Sequence, residues 1–144
     1  MARQDPLRNY RFRVEIDGIQ AGGFSEVFIE PTTTDVIDYR EGGDRSFVRK
    51  LPGLTRFGNV TLKRGVSTSL ELFNWHLQVV RGQIANARRN VTIVVLDDAG
   101  QDVARFQVSD AWPTKYDPGD LNARGNEVFI ESLELANEGI ERVS

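Results

Sequence analysis

Apolar and polar positions alternate with a period of two along most of this chain, and one stretch alone breaks the rhythm. From Asn9 to Ile16, Tyr10, Phe12, Val14 and Ile16 fall on one side and Arg11, Arg13 and Glu15 on the other. That is the pattern of a strand with one buried face. Asp17-Gly18 follows, a pair that tolerates the positive φ of a tight primed turn, so a hairpin returning at Ile19 is expected before Gly22-Gly23. Phe24–Glu30 and Thr32–Tyr39 read as two further strands about Pro31, which points to an edge or a bulge. Val60 and Leu62 alternate with Asn59, Thr61 and Lys63 in another half-buried strand. Val91–Leu96 is an apolar run of strand length, Asp97-Asp98-Ala99-Gly100 a turn, and Ala104, Phe106 and Val108 the returning strand, ended at Trp112-Pro113. Tyr116–Gly125 is turn-rich. In the last strand, from Glu127, Val128 and Ile130 have one parity and Leu133 and Leu135 the other. One extra residue near Glu131-Ser132 would restore a single apolar face, as a β-bulge does.

The exception is Ser69–Val80, where nothing breaks a helix. Thr68 and Glu71 have the spacing of a capping box and Gly82 is the expected stop. At about 100° per residue, Glu71, Asn74, Gln78 and Arg81 gather into a narrow polar stripe. Leu70, Phe73, Leu77 and Val80 form one apolar flank, and Leu72, Trp75 and Val79 the other. An ordinary surface helix buries one stripe, so this one needs cover from two sides: its own sheet, and either a loop of the same chain or a neighbouring subunit. Together these elements predict a mainly β fold, an antiparallel β-barrel or sandwich of about seven or eight strands with one flanking α-helix.

Between Arg40 and Gly53 (REGGDRSFVRKLPG) the periodicity fades. A long loop is expected there, with at most a short hairpin about Ser46–Arg49. Loops beyond about 12 residues are uncommon in compact domains and are usually functional or ordered by a partner. The segment is also basic. Seven bases (Arg40, Arg45, Arg49, Lys50, Arg56, Lys63, Arg64) stand against Glu41 and Asp44, whereas from Glu127 onward five glutamates stand against Arg142. Two solvated surfaces would account for this. So would a basic loop on one copy meeting an acidic end on the next.

With 144 residues, 40% apolar and 27% charged, the chain fits one globular domain, 1–144. It has no run near the ~20 apolar residues of a membrane span. Nor does MARQDPLRNY lead into an apolar signal segment, so synthesis in the cytoplasm is expected. The absence of cysteine removes disulfides and thiolate chemistry, and a net charge of −3 argues against stable nucleic-acid binding. No catalytic, cofactor or metal constellation stands out. The lone His76 has Leu72 and Val80 at the i−4 and i+4 places a metal site would need, so packing or an interface is its expected role. Gly22-Gly23 and Gly42-Gly43 lack the phosphate-loop pattern, and Asp97-Asp98 lacks the spaced acids and distal glutamate of a calcium loop. Trp75 and Trp112 have no surrounding basic patch and read as anchors. Enzyme chemistry would require carboxylates such as Glu15, Asp35 or Asp38 to converge.

The order of segments resembles the tail-tube (inner tube) proteins of contractile phage tails and of phage-tail-like extracellular contractile injection systems. The matching stretches are DPLRNYRFRVEIDGIQAGGFSEV, DVIDYREGG, KLPG, NVTLKRGV with LFNW, DAWPTKY and NEVFIESLELANE, in the family's order over nearly the whole chain. Each is built of common residues; together they are specific. The resemblance implies a structural, self-assembling virion or particle component: a homohexameric ring, stacked into a hollow tube that a contracting sheath drives through a target membrane. Its partners would be further copies of itself, the sheath protein, tube-initiator or baseplate and tail-terminator proteins, and lumenal cargo, with no cofactor. Contacts between subunits and rings are then expected at Arg40, Glu41, Arg45, Arg49, Lys50, Leu51 and Pro52, and at the helix flank Leu72, Trp75 and Val79. Asn59, Thr61 and Lys63 would face the lumen. A tube-initiator or baseplate-adaptor paralogue and the type VI secretion tube protein share the expected fold. A monomeric β-barrel ligand-binding module is the alternative from another class; it requires a concave apolar pocket.

Overall fold

A computed structural model describes residues 11–19, 24–40, 42–43, 46, 48–65, 70–119 and 130–144. In chain order the described elements are β1 (Arg11–Ile16), β2 (Glu26–Ile29), β3 (Thr33–Tyr39), β4 (Arg49–Arg56), β5 (Val60–Gly65), α1 (Glu71–Val80), α2 (Ile84–Ala87), β6 (Arg89–Leu96), β7 (Asp102–Asp117), β8 (Ile130–Ala136) and β9 (Gly139–Arg142). The nine strands among the described residues slightly exceed the expected seven or eight. All pair antiparallel.

Two sheets share one long strand. The first half of β7 lies between β6 and β9, with β1 beyond β6; its second half joins β8, then β5, then β2. The strand therefore does not end at Trp112-Pro113, as its sequence suggests. It turns at Asp110, which takes a φ of 50°, a conformation that Asp and Asn tolerate better than most residues. Pro113, which cannot donate to a ladder, sits beside a register shift between Pro113 and Lys115. The path from β1 to β2 is not closed as a barrel; the isolated bridge Phe12–Phe24 crosses the seam. The result is a sandwich bent about β7.

Alternation decides which side chains fill it. Val14 with Ile93, Ile16 with Val91 and Val108, Val27 with Leu62 and Leu133, and Val60 with Leu135 lie in cross-strand rows on the inner faces. Helix α1 lies along β7 and puts Leu72 and Trp75 into the same core. The Trp75 indole donates a 2.6 Å hydrogen bond to the Ala87 carbonyl, which satisfies a buried donor and ties α1 to α2. The helix begins at Glu71, two residues later than the pattern predicts, and Gly82 ends it at a φ of 77°. Thr68, the other half of the expected capping box, lies outside the described residues. Asp17-Gly18 makes the expected turn, with Ile19 N–H bonded to Ile16 O at 3.0 Å.

The last long strand corrects the sequence reading. β5 and β8 pair without a register shift, and Glu131, not an extra residue, shares the inward row with Leu133 and Leu135, while Ile130 points outward. Arg64 is its cross-strand partner. The guanidinium Nε donates to Glu131 Oε1 at 2.6 Å, with both side chains about 95% buried. Tyr116 OH donates to the other carboxylate oxygen at 2.6 Å, and Arg64 also lies over the Phe24 ring at 5.7 Å. A buried pair of this kind adds little stability over apolar residues of the same volume. It does fix register: any slip of β8 leaves two charges in the core without each other. It also takes Arg64 out of the basic surface and Glu131 out of the acidic one.

Candidate assembly surface

The β3–β4 ribbon behaves unlike the rest of the molecule. Its strands pair with each other, yet neither packs appreciably on any other element, and all seven residues of β3 are exposed. The segment expected as loop is thus strand from Arg49 onward, and with β3 it forms an arm. Thr33 and Thr34 pair with Arg56 and Thr55; a bulge follows, and Val36 to Tyr39 pair with Pro52 back to Arg49. Pro52 is tolerated because a two-stranded ribbon has free edges. Ile37 lies close against Gly53 and next to Leu51 on one face, while Val36 and Pro52 lie on the other. Val36 is 63% exposed, Ile37 50%, Leu51 44% and Leu54 70%. Apolar side chains on both faces of a ribbon with no body behind it are unusual for a chain that works alone.

Charged groups edge the arm. Lys50 pairs with Asp38 at 3.3 Å and Arg56 with Asp35 at 3.8 Å, all well exposed. Arg40, Arg49 and Lys50 are exposed. Glu41 and Arg45 lie outside the described residues.

The helix offers a second uncovered surface, though not on the flank singled out from sequence. Leu72 and Trp75 are 1% exposed and fill this chain's own core, with Val79 packed beside them, so they form no outer surface. The outward flank is the other one: Leu70 at 63%, Phe73 at 44% and Val80 at 66% exposure, continued by Ile84 on α2. A wheel with two apolar flanks cannot tell which one the sheet covers. Phe73 makes an edge-on contact with Tyr116, 5.7 Å between centroids.

Asn59, Thr61 and Lys63 lie on the face of β5 opposite Val60, Leu62 and Arg64. Rows Phe28–Thr61–Glu134 and Glu26–Lys63–Ser132 cross this outer face. Asn59 donates to Glu134 at 3.2 Å, and Lys63 lies 4.0 Å from Glu26. The face is mixed: Phe28 is 55% exposed on it, beside the polar Asn59, Thr61 and Glu134 and the Lys63–Glu26 pair.

Among the described residues the candidate carboxylates do not converge. Glu15 pairs with Arg13 on the outer face of β1, while Asp35 and Asp38 belong to the arm, so these carboxylates stand apart on separate elements. Among the described residues no group of three or more His, Asp or Glu is placed to hold a metal. No described helix is long and apolar enough to cross a membrane. A cleft of about 170 Å³ beside α1 is lined by Ile19 and Trp75 together with Glu71, Asn74, Gln78 and Arg89, a mixed surface and not the apolar pocket expected of a β-barrel binding module. Arg89 is held there by Asp17 O at 2.8 Å. Tyr116 has its pKa pushed up to about 12, first by burial, then by its hydrogen bond to Glu131 and that carboxylate's charge. The Tyr116 ring packs against the core.

The described fold is thus an open sandwich with an exposed two-faced arm. Comparison with known proteins places the chain in a family. The T4-like virus tail tube protein gp19 family matches residues 8–141, and the chain belongs to it. A chain of the PVC sheath/tube terminator structure of an extracellular contractile injection system superposes with a TM-score of 0.80 at 26% identity, covering 99% of this chain and all of that one. A chain of the PVC sheath-tube complex in the extended state gives 0.78 at 26% identity, covering 96% and 92%. Hcp1 from Flavobacterium johnsoniae shares the fold, at 0.56 and 14% identity, covering 92% and 94%. No curated protein sequence matches significantly. This is a structural subunit of the tail-tube and contractile-injection type, not an enzyme.

Proposed function

We infer that the chain, acting as one tail-tube domain, forms homohexameric rings that stack into the rigid inner tube of a contractile injection system or phage tail. That tube would be driven through a target membrane when a surrounding sheath contracts. The observation that carries this reading is the arm, whose Val36, Ile37, Leu51 and Leu54 are exposed, with no described element packed appreciably over them. A head-to-tail contact made by such a projection generates rings when the rotation closes and open stacks when it does not. Arg40, Arg49, Lys50, Leu51 and Pro52 would meet neighbouring subunits, joined by the outward helix flank of Leu70, Phe73 and Val80. Strand edges of β1 and β2 would be closed in the ring. Asn59, Thr61 and Lys63 would face a water-filled lumen, a role their own polar side chains suit. Sheath, baseplate and terminator proteins are the partners, as the sheath-tube and terminator assemblies of similar chains suggest.

A tube-initiator or baseplate-adaptor paralogue is the second reading. Its support is that a chain of a baseplate structure is similar to this one, as chains of the sheath-tube and terminator structures are. The mass of purified protein in solution, followed by negative-stain imaging, tests the main reading. Six-fold rings or tubes are expected, and a monomer at every concentration would contradict it. Copy number in an isolated particle separates tube from paralogue.

A further inference from the structure

The arm leaves the body through a break in its own ladder. Glu30 N–H bonds to Asn59 O at 3.0 Å, the last rung of the body, and the ribbon resumes at Thr33 opposite Arg56. Between them lie Pro31, which has no N–H, and Gly58. A side chain at Gly58 would collide with the Glu30 carbonyl, so glycine alone lets the two chains pass this closely. A two-stranded ribbon interrupted on both strands has no ladder of its own to set its pitch.

We propose that Asn137, in the turn between β8 and β9, is the latch that sets the angle of the arm. Its Nδ2 donates to the Gly58 carbonyl at 2.9 Å, inside the break. Its Oδ1 accepts from Gly139 N–H at 3.1 Å, which fixes the amide so that the nitrogen faces the arm. Asn59 adds two supports on the body side: its backbone N–H to Glu30 Oε2 at 3.4 Å and its side chain to Glu134 at 3.2 Å. The Asn137 amide thereby couples the position of the ribbon to the far end of β8, whose register Arg64 and Glu131 fix. Asn137 is a positioning residue: it acts through the Gly58 carbonyl at the base of the arm.

The consequence for assembly rests on the tube reading above. A subunit whose arm samples many angles presents the competent one only part of the time. If that fraction falls to about a tenth, apparent affinity between subunits falls about tenfold. Asn137→Asp is the discriminating variant. It retains an acceptor for Gly139 N–H and puts an acceptor, not a donor, against Gly58 O, so the turn survives while the latch does not. Asn137→Ser, too short to reach, serves if the charged variant does not fold.

The chain has no cysteine, so spin labels at Lys50→Cys on the arm and Asp98→Cys on the body report one distance in dilute subunits. The latch predicts a narrow distribution in the parent and one at least about twice as wide in the position-137 variants, a loss of rotational restraint. Thermal melting of the body should stay unchanged. In unlabelled protein, the concentration needed for rings or tubes should rise about tenfold. An equally narrow distribution in both variants would overturn the latch. A broadened distribution with unaltered assembly would uphold the latch and contradict the arm's role in the tube instead.

Discussion

The β5–β8 pair and the β3–β4 arm are both antiparallel ribbons with a period of two, and they have opposite fates. In β5 every second residue, Val60, Leu62 and Arg64, is buried, whereas in β3 every residue is exposed despite Val36 and Ile37. The difference is not in β-propensity. It lies in what stands behind the strand: a second sheet and a helix in one case, none of the chain's described elements in the other. Alternation announces a strand and a face; it does not say which molecule will cover that face.

The largest effect should come from breaking the body. Glu131→Ala leaves Arg64 buried without its counter-charge and should cost about 3–5 kcal/mol, read from denaturant unfolding. Replacing both partners together by Met and Leu should recover most of that loss. A small effect of Glu131→Ala alone would mean that the pair does not hold the core as described. Breaking the arm should do the reverse. Leu51→Asp or Ile37→Asp should change subunit stability by no more than about 0.5 kcal/mol, as surface substitutions do. The same change should abolish assembly, since each such side chain contributes about 1.5–3 kcal/mol when fully covered. If these variants unfold the free subunit, the arm is not independent of the body.

Tyr116 sharpens the comparison within the body. Its folded pKa near 12 exceeds the ordinary 10, so the folded state holds the proton more tightly. The stability this contributes is complete below about pH 10 and is lost as pH rises toward about 12. Tyr116→Phe should flatten that decline and cost about 1–2 kcal/mol at neutral pH by removing a donor to buried Glu131. An unchanged alkaline slope would put the titration elsewhere. Reversal of charge on the arm, Arg49→Glu with Lys50→Glu, should act least. Exposed pairs are worth about 0–1 kcal/mol, so assembly should weaken mainly at low salt while the subunit stays folded. Normal tubes at low salt would remove these bases from the contact.

Much of the body was legible from sequence because its strands alternate over a one-sided core. β1, β6, the Asp17-Gly18 and Asp97–Gly100 turns and the helix with its Gly82 stop all follow local rules. What stayed hidden depended on partners across the fold. Glu131 looks like an outward residue and therefore suggested a bulge; only Arg64 opposite makes an inward carboxylate tolerable. Pro52-Gly53 and Gly42-Gly43 look like loop punctuation, and a free ribbon edge is what admits Pro52 into β4. The two helix flanks are equivalent on a wheel, and only the sheet beneath chooses Leu72 and Trp75 for the core. β9 is too short to announce itself. Trp112-Pro113 looks like an end because a strand that passes from one sheet to another has no signature of its own. The inter-subunit role proposed for the arm rests on resemblance, on unusual composition and on the exposed apolar residues Val36, Ile37, Leu51 and Leu54.

Amide hydrogen exchange across Thr33–Tyr39 and Arg49–Arg56, measured in dilute subunits and again in the assembled particle, tests the central claim most directly. With β5 and β8 as the internal reference, the arm should exchange fast in the subunit while those strands exchange slowly. Assembly should slow the arm by several orders of magnitude, as burial and ladder closure do elsewhere. An arm already protected in the free subunit, or still unprotected in the particle, would contradict the account.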